Sequence, residues 1–263
     1  YTSLGDLPYL HVLKLKNTIL TGAASAGFKK VKKRIRLLKK VKKIVVESEK
    51  QRKELLSLGI SPQHIELIYP PVDTRKFTYQ PFNGKFTILY ASCPTRVSDF
   101  KKRGMDLIID YAKKNVSIQF NLAWRGGAYD EIKKRLAHHQ IKNVNVKNEF
   151  VKNMNDVYAK THCTIIPYTT YSDFLKLIPN SAIESLCAGK PLLASSTTEI
   201  AQFIIEHKCG VVFDPDKESL HKAVIELQKR YAYYQKNCTK TAKKYFSKEE
   251  FLKKYEEIYK NIR

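Results

Sequence analysis

From about residue 44 onward, short apolar runs rich in β-branched residues alternate with longer stretches of helical periodicity. The runs are "KIVVES" (43–48), "IELIY" (65–69), "FTILYAS" (86–92), "SIQFNLA" (117–123), "VNV" (144–146), "CTIIPY" (163–168), "PLLAS" (191–195) and "GVVF" (210–213). Short, apolar and β-branched, such runs have the look of strands buried on both faces. Helical patterns fill 49–58, 104–114, 129–138, 154–160, 181–188, 199–207 and 217–236, with two further helices at 240–245 and 248–262. Strand and helix in strict alternation predict an α/β fold, a Rossmann-like doubly wound parallel sheet flanked by helices with right-handed crossovers. The clearest break is 70–85, where Pro70, Pro71 and Pro81 mark a loop.

Composition changes this picture in three ways. With 43% hydrophobic and 28% charged residues over 263 positions, the chain is globular rather than disordered, and no run of about 18 apolar residues is present to cross a membrane. Five cysteines, odd in number and without a CxxC pair, read as buried free thiols of a reducing compartment, hence a cytoplasmic location. The net charge of +23 is uneven. Between Lys29 and Lys43, "KKVKKRIRLLKKVKK" holds 10 basic residues in 15. Val31, Ile35 and Leu38 fall at helical spacing there, so the segment is expected to be a basic amphipathic helix with a narrow apolar stripe. Three uses stay open: a solvated face docked on the protein by its stripe, attraction to an anionic membrane surface, or nucleic-acid binding. The last is the weakest, because no aromatic or glycine-rich recognition element accompanies the charges. The chain opens on Tyr1 without a signal-peptide pattern, which suggests a piece of a longer protein.

A doubly wound sheet places its ligand beyond the carboxyl ends of the strands, so the loops there are where chemistry is sought. After 86–92 comes "CPTRVSDFKKRGMDLII", with Arg96, Lys101, Lys102 and Arg103 ahead of Gly104 and a helix. Cations beside a helix N-terminus suit a diphosphate, although a basic chain also produces solvated basic loops. After 117–123 comes "WRGGAYDEI", where Gly126 and Gly127 allow a tight turn and close approach of another group, or simply a turn. After 163–168 comes "TTYSDFLKLIPNSAIESLCAGKP". Ser181 and Glu184 fit an S-x-x-E capping box. Equally, Glu184 fits a carboxylate accepting from a ligand's hydroxyls, with N–H groups around Leu177, Ile178, Pro179 and Asn180 meeting an anion. Spacing alone leaves both open.

In order, "IVVESEKQRKELLSLGISPQHIELIYPPVDTRKF", "ILYAS…KKRGMDLII", "FNLAWRGG", "KNMNDVYAK", "IIPY", "IPNSAIESLCAGKPLLAS" and "GVVFDPDKESLHKAV" resemble the carboxyl-terminal half of a group-1 (family 4) glycosyltransferase of GT-B architecture. The resemblance spans 44–262. It implies that 44–263 form a Rossmann-like domain binding a UDP- or GDP-sugar donor. Residues 1–43 would then be a basic helical remnant of, or linker from, an acceptor domain that they are too few to form. Arg96 with Lys102 or Arg103 would face the donor diphosphate as the catalytic cations. Glu184 matches the second Glu of the family's E-x7-E motif and would hold the ribose hydroxyls. The first Glu falls on Lys176, a departure at the sugar end, with Asp173 as a nearby carboxylate. The nucleobase would sit by 149–153, at Val151, and Gly126 would border the site. Transfer would be to an acceptor hydroxyl, with retention in most members. Growing charge on the leaving diphosphate would be stabilised by cations and helix N–H groups. The catalysis so implied needs no metal, and no cofactor beyond the donor is implied. The alternative is a degenerate member that binds nucleotide or a partner protein without turnover.

Overall fold

The computed structural model describes residues 18–21, 35–91, 93–170 and 178–261. Their contacts divide into two units, Asp73–Thr170 with Pro179–Lys244, and a smaller one ending at Val72 that takes up the chain again at Tyr171–Ile178 and Tyr245–Arg263.

The smaller unit contains β1 (Ile19–Thr21), α1 (Ile35–Leu38), β2 (Lys43–Val46), α2 (Glu49–Ser57) and β3 (Ile65–Leu67). The strands form a parallel sheet in the order β1-β2-β3. Ile44, Val45 and Val46 are at most 1% exposed, as β-branched residues between two neighbours should be. Leu20, Leu38, Val41, Leu55, Ile60 and Ile65 close one side of it. Helix α2 is set by Ser48, whose hydroxyl accepts from the Gln51 N–H at 3.2 Å while the Gln51 side chain accepts from the Glu47 N–H at 2.9 Å. This is a reciprocal cap.

Two expectations change here. The basic helix expected to reach Lys43 stops, among the described residues, at Leu38, and residues 29–34 lie outside them. Lys43 instead starts β2, because Lys43–Val45 pair with β1 on one edge and Ile44–Val46 with β3 on the other, which holds this stretch in extended backbone. Leu38 is fully buried and Ile35 packs beside it, so the stripe at these two positions docks on the protein's own core. The boundary expected between 43 and 44 falls inside β2, and contacts thin at Val72 instead. Strand β1 escaped the sequence reading, since a three-residue segment has no periodicity of its own and is a strand only by pairing with β2.

The larger unit runs β4 (Thr87–Tyr90), α3 (Met105–Lys114), β5 (Gln119–Trp124), α4 (Tyr129–His138), β6 (Val144–Asn148), α5 (Met154–Ala159), β7 (Cys163–Ile166), α6 (Asn180–Cys187), β8 (Leu192–Ser195), α7 (Ala201–His207), β9 (Gly210–Phe213) and α8 (Lys217–Lys229), then enters α9 (Tyr231–Phe246). Its sheet has the order β6-β5-β4-β7-β8-β9, parallel throughout. One face, with Ile88, Tyr90, Phe120, Leu122 and Trp124, packs on α3, α4 and α8 through Ile108, Ile132 and Val224. The other face, with Leu89 and Ala123, meets Val157 and Tyr158 of α5 and Ala188. This is the Rossmann-like doubly wound sheet that the alternation predicts.

The helix expected over 217–236 is broken at Arg230, where α8 ends and α9 begins. Apolar spacing continues across the corner, so periodicity reads through it. Side chains hold the bend: the Arg230 guanidinium bonds Glu226 at 3.0 Å and lies 4.3 Å from the Tyr233 ring, and the Tyr234 hydroxyl donates to the same carboxylate at 3.0 Å. Helix α10 (Lys248–Lys260) returns to the smaller unit, where Tyr255 and Ile258 pack on Val45 and Ile68. The Lys254 ammonium there donates to the Leu67 carbonyl at 3.0 Å. No helix among the described residues is long and apolar enough to cross a membrane.

His162 ties β4 to the aromatic residues below it. The Thr87 N–H donates to Nδ1 at 3.0 Å, and the ring stacks on Phe86 at 4.8 Å. Burial, then the Lys190 cation, lowers its pKa from the usual 6.5. Below about pH 6.5 the unfolded chain therefore takes a proton that the folded chain refuses, and stability is lost as pH falls through that value. Glu47 acts oppositely, since burial pushes its carboxyl up to about 7 and its contribution to stability falls as pH rises from 4.5 toward 7. The difference between two proteins isolates the histidine. His162→Asn keeps an acceptor for Thr87 without titrating, so its urea midpoint should drop less than the wild type's between about pH 7.5 and about pH 5.5. Equal drops would remove His162 from the pH response.

Candidate functional site

Strand order reverses between β4 and β7, so the loops leaving them diverge and open a crevice at the carboxyl edge. The basic loop is fastened across this crevice by its backbone. Gly104, the N-cap of α3 with φ of +73°, passes so near Pro167 that an added Cβ would strike the Pro167 carbonyl oxygen. The Thr169 N–H donates to the Lys102 carbonyl at 2.9 Å, the Thr169 hydroxyl to the Lys101 carbonyl at 2.7 Å, and the Tyr90 hydroxyl to the Arg103 carbonyl at 2.8 Å. With these carbonyls engaged, Lys101 and Lys102 keep exposed side chains. Arg103 is half-buried, its guanidinium 5.8 Å from the Tyr168 ring. Arg96 stands exposed at the head of a single 3-10 turn, Val97–Asp99.

The two glycines after β5 join this loop to the next. Gly126 has φ of +73° and donates its N–H to the Asn148 side chain at 2.7 Å. An added Cβ on Gly127 would meet the Thr95 carbonyl oxygen, and the Trp124 indole, anchored in the core, donates to the Gly127 carbonyl at 2.8 Å. Close approach, rather than a mere turn, is thus what Gly127 provides, and it brings the Arg96 loop beside Gly126.

Glu184 is not half of a capping box. Helix α6 begins at Asn180 with Pro179 as N-cap and no side-chain cap, which puts Ser181 inside the helix and, proline having no N–H, leaves Glu184 no cap donor to accept from. The carboxylate is held instead by Tyr158 of α5, whose hydroxyl lies 3.0 Å from Glu184 Oε2 and 3.1 Å from the Ser181 carbonyl. Tyr158 is fully buried. Burial, then the Glu184 charge, holds its phenol well above the usual pKa of 10, while the Arg125 cation acts the other way. Glu184 itself is half-buried among buried neighbours Ile183, Ser185 and Leu186. Ile178 is buried and Pro179 half-buried ahead of the helix, while Asp173, Lys176 and Leu177 lie outside the described residues.

Two contributors were not anticipated. Tyr158 is one apolar-face residue of a short helix, and nothing in its spacing points to Glu184. Arg125 was visible as a cation at a strand's carboxyl end, the same signal that singled out Arg96, but the glycines after it drew the reading. Val151 lines a cavity of about 380 Å³. Asn121 and Ala123 of β5 and Lys147 of β6 form its floor, Asp156 and Val157 of α5 one wall, and Glu149 and Phe150 part of its rim.

The family described as "Glycosyl transferases group 1" matches residues 87–230, just over half of the chain. The chain belongs to that family. The match opens at β4 and closes at the corner after α8, so it takes in the basic loop, the glycine turn, Tyr158 and Glu184 of this group 1 glycosyltransferase. Among solved structures, it is similar to Anabaena HepE in complex with UDP and glucose, at 12% identity and a TM-score of 0.71 over 94% of this chain and 71% of that one. It is similar also to sucrose-phosphate synthase from Thermosynechococcus elongatus, at 15% identity and 0.72 over 93% and 67%. A third is the lipopolysaccharide outer core galactosyltransferase WaaB, at 12% identity and 0.70 over 97% and 78%. At such identities the likeness concerns the fold. No curated protein sequence matches the chain.

The Tyr158–Glu184 bond is open to a direct test. Tyr158→Phe should lower stability by about 1.5–3 kcal/mol in urea unfolding, the range for a hydrogen bond to a charged group. In a Glu184→Gln background the same change should cost less. A double-mutant cycle that closes with no coupling would show the bond to be absent in solution.

Proposed function

We propose that this glycosyltransferase transfers a hexosyl group from a nucleotide-diphosphate sugar with retention at the anomeric carbon, and that the larger unit binds the donor. The observation that carries this reading is Glu184, a carboxylate fixed by a buried phenol on the helix that follows the switch-point loop. A fixed, half-exposed carboxylate suits two neighbouring hydroxyls, as on a ribose. Arg96, Lys102 and Arg103 would oppose the diphosphate, with Gly126 leaving room beside it. Val151 and its cavity would receive the base. As the bond from the anomeric carbon to the diphosphate oxygen breaks, negative charge grows on the diphosphate, and cations already in place stabilise it most where water is excluded. The acceptor hydroxyl forms the new bond on the face the diphosphate leaves, and its proton passes to the departing oxygen. The resemblance assigns Lys176, with Asp173 close by in the sequence, to the sugar end, so sugar preference is the property they would tune.

Calorimetric titration with UDP and with GDP tests the donor role. Glu184→Ala should weaken both nucleotides by roughly tenfold or more, the loss expected when hydrogen bonds to a charged group are removed. Unchanged affinity in a folded variant would return Glu184 to a purely structural part.

A further inference from the structure

We infer that the cavity beside Val151 selects a guanine base over uracil, with Glu149 and Lys147 as the residues that read it. The inference rests on the donor reading above and adds to it the identity of the nucleotide. Asp156 is engaged by the Asn153 side-chain amide at 2.9 Å, which leaves Glu149 as the carboxylate at the rim without a hydrogen bond of that kind. Among the described residues its ion-pair partner is Lys147, at 4.0 Å, with both side chains about three-fifths exposed. An ion pair that long and that wet contributes little to stability, so both heads are available to a ligand. Lys147 sits on β6 beside Ala123 of β5, on the sheet face that floors the cavity. Phe150 follows Glu149 on the rim and is 79% exposed, an unusual place for a large apolar ring and a ready surface for a base to stack on.

The chemistry of the pair decides among bases. A carboxylate forms its strongest planar contact with two adjacent N–H donors. Guanine offers these at N1 and N2, and next to them the O6 acceptor, which suits an ammonium. Uracil presents a single N–H between two carbonyl oxygens, so a carboxylate approaching it meets oxygen on either side. Adenine presents one amino group beside an acceptor nitrogen. A donor pair left unmatched, or a carboxylate set against carbonyls, discriminates more strongly than a missing apolar contact.

Titration of the chain with GDP, IDP and UDP provides the test. GDP should bind at least about tenfold more tightly than UDP, with IDP between them because it lacks the N2 amino group. Glu149→Gln, a change at an exposed position, should bring the GDP and UDP affinities within about threefold of each other, whereas Glu184→Ala should weaken both alike and keep their ratio. UDP binding as tightly as GDP, or a ratio unmoved by Glu149→Gln, would overturn the assignment while leaving the donor reading intact. Absence of binding by any of the three would overturn the donor reading and the base assignment together.

Discussion

At Gly104 the chain turns out of the loop after β4 with a positive φ and passes so close to the Pro167 carbonyl that a methyl group has no room. The approach is possible only where two parallel strands part company, and it fixes the spacing between the β4 and β7 loops. Lys101, Lys102 and Arg103 hang from it. Because the carbonyls of Lys101, Lys102 and Arg103 are taken by Thr169 and Tyr90, their side chains leave the backbone in set directions. A left-handed residue other than glycine would carry about 1 kcal/mol of strain before the collision is counted.

Glu184 shows the same economy on the other flank. A carboxylate within an apolar helix is costly unless something donates to it, and here the donor comes from a neighbouring helix rather than from the helix's own first turn. That choice matters chemically. A capping carboxylate is folded back on its own backbone, whereas one held from the side by a phenol keeps an oxygen for a ligand. The phenol in turn packs at 6.0 Å against Phe77, so the carboxylate's position is inherited from the core.

How much of this was legible follows from the same physics. The central strands β4, β7 and β8 were readable because burial on both faces forces short, nearly uninterrupted apolar runs, and the cations and glycines were readable because they fall at or near the carboxyl ends of strands. Glu184 was visible as an anomaly, but its partner was not, since Tyr158 lies 26 residues away and only the fold brings the two together. The S-x-x-E pattern misled because helix α6 starts at Asn180, two residues ahead of where a Ser181 cap would set it, and Pro179 takes the cap. Strand β1 and the corner at Arg230 were hidden for opposite reasons: one is too short to carry a pattern, and the other lies inside a pattern that does not stop.

The smaller unit is closed by residues far apart in the chain, with Val45 and Ile68 covered by Tyr255 and Ile258, and Leu67 bonded by Lys254 across 187 positions. Its sheet is therefore synthesised before the larger one and its covering helix after it. Through that interval Val45 and Ile68 lack their final partners, and the slow, non-local step of closing this core must follow the complete synthesis of the larger sheet. For this chain, the order of translation and the order of burial run in opposite senses, and the last helix acts as the latch.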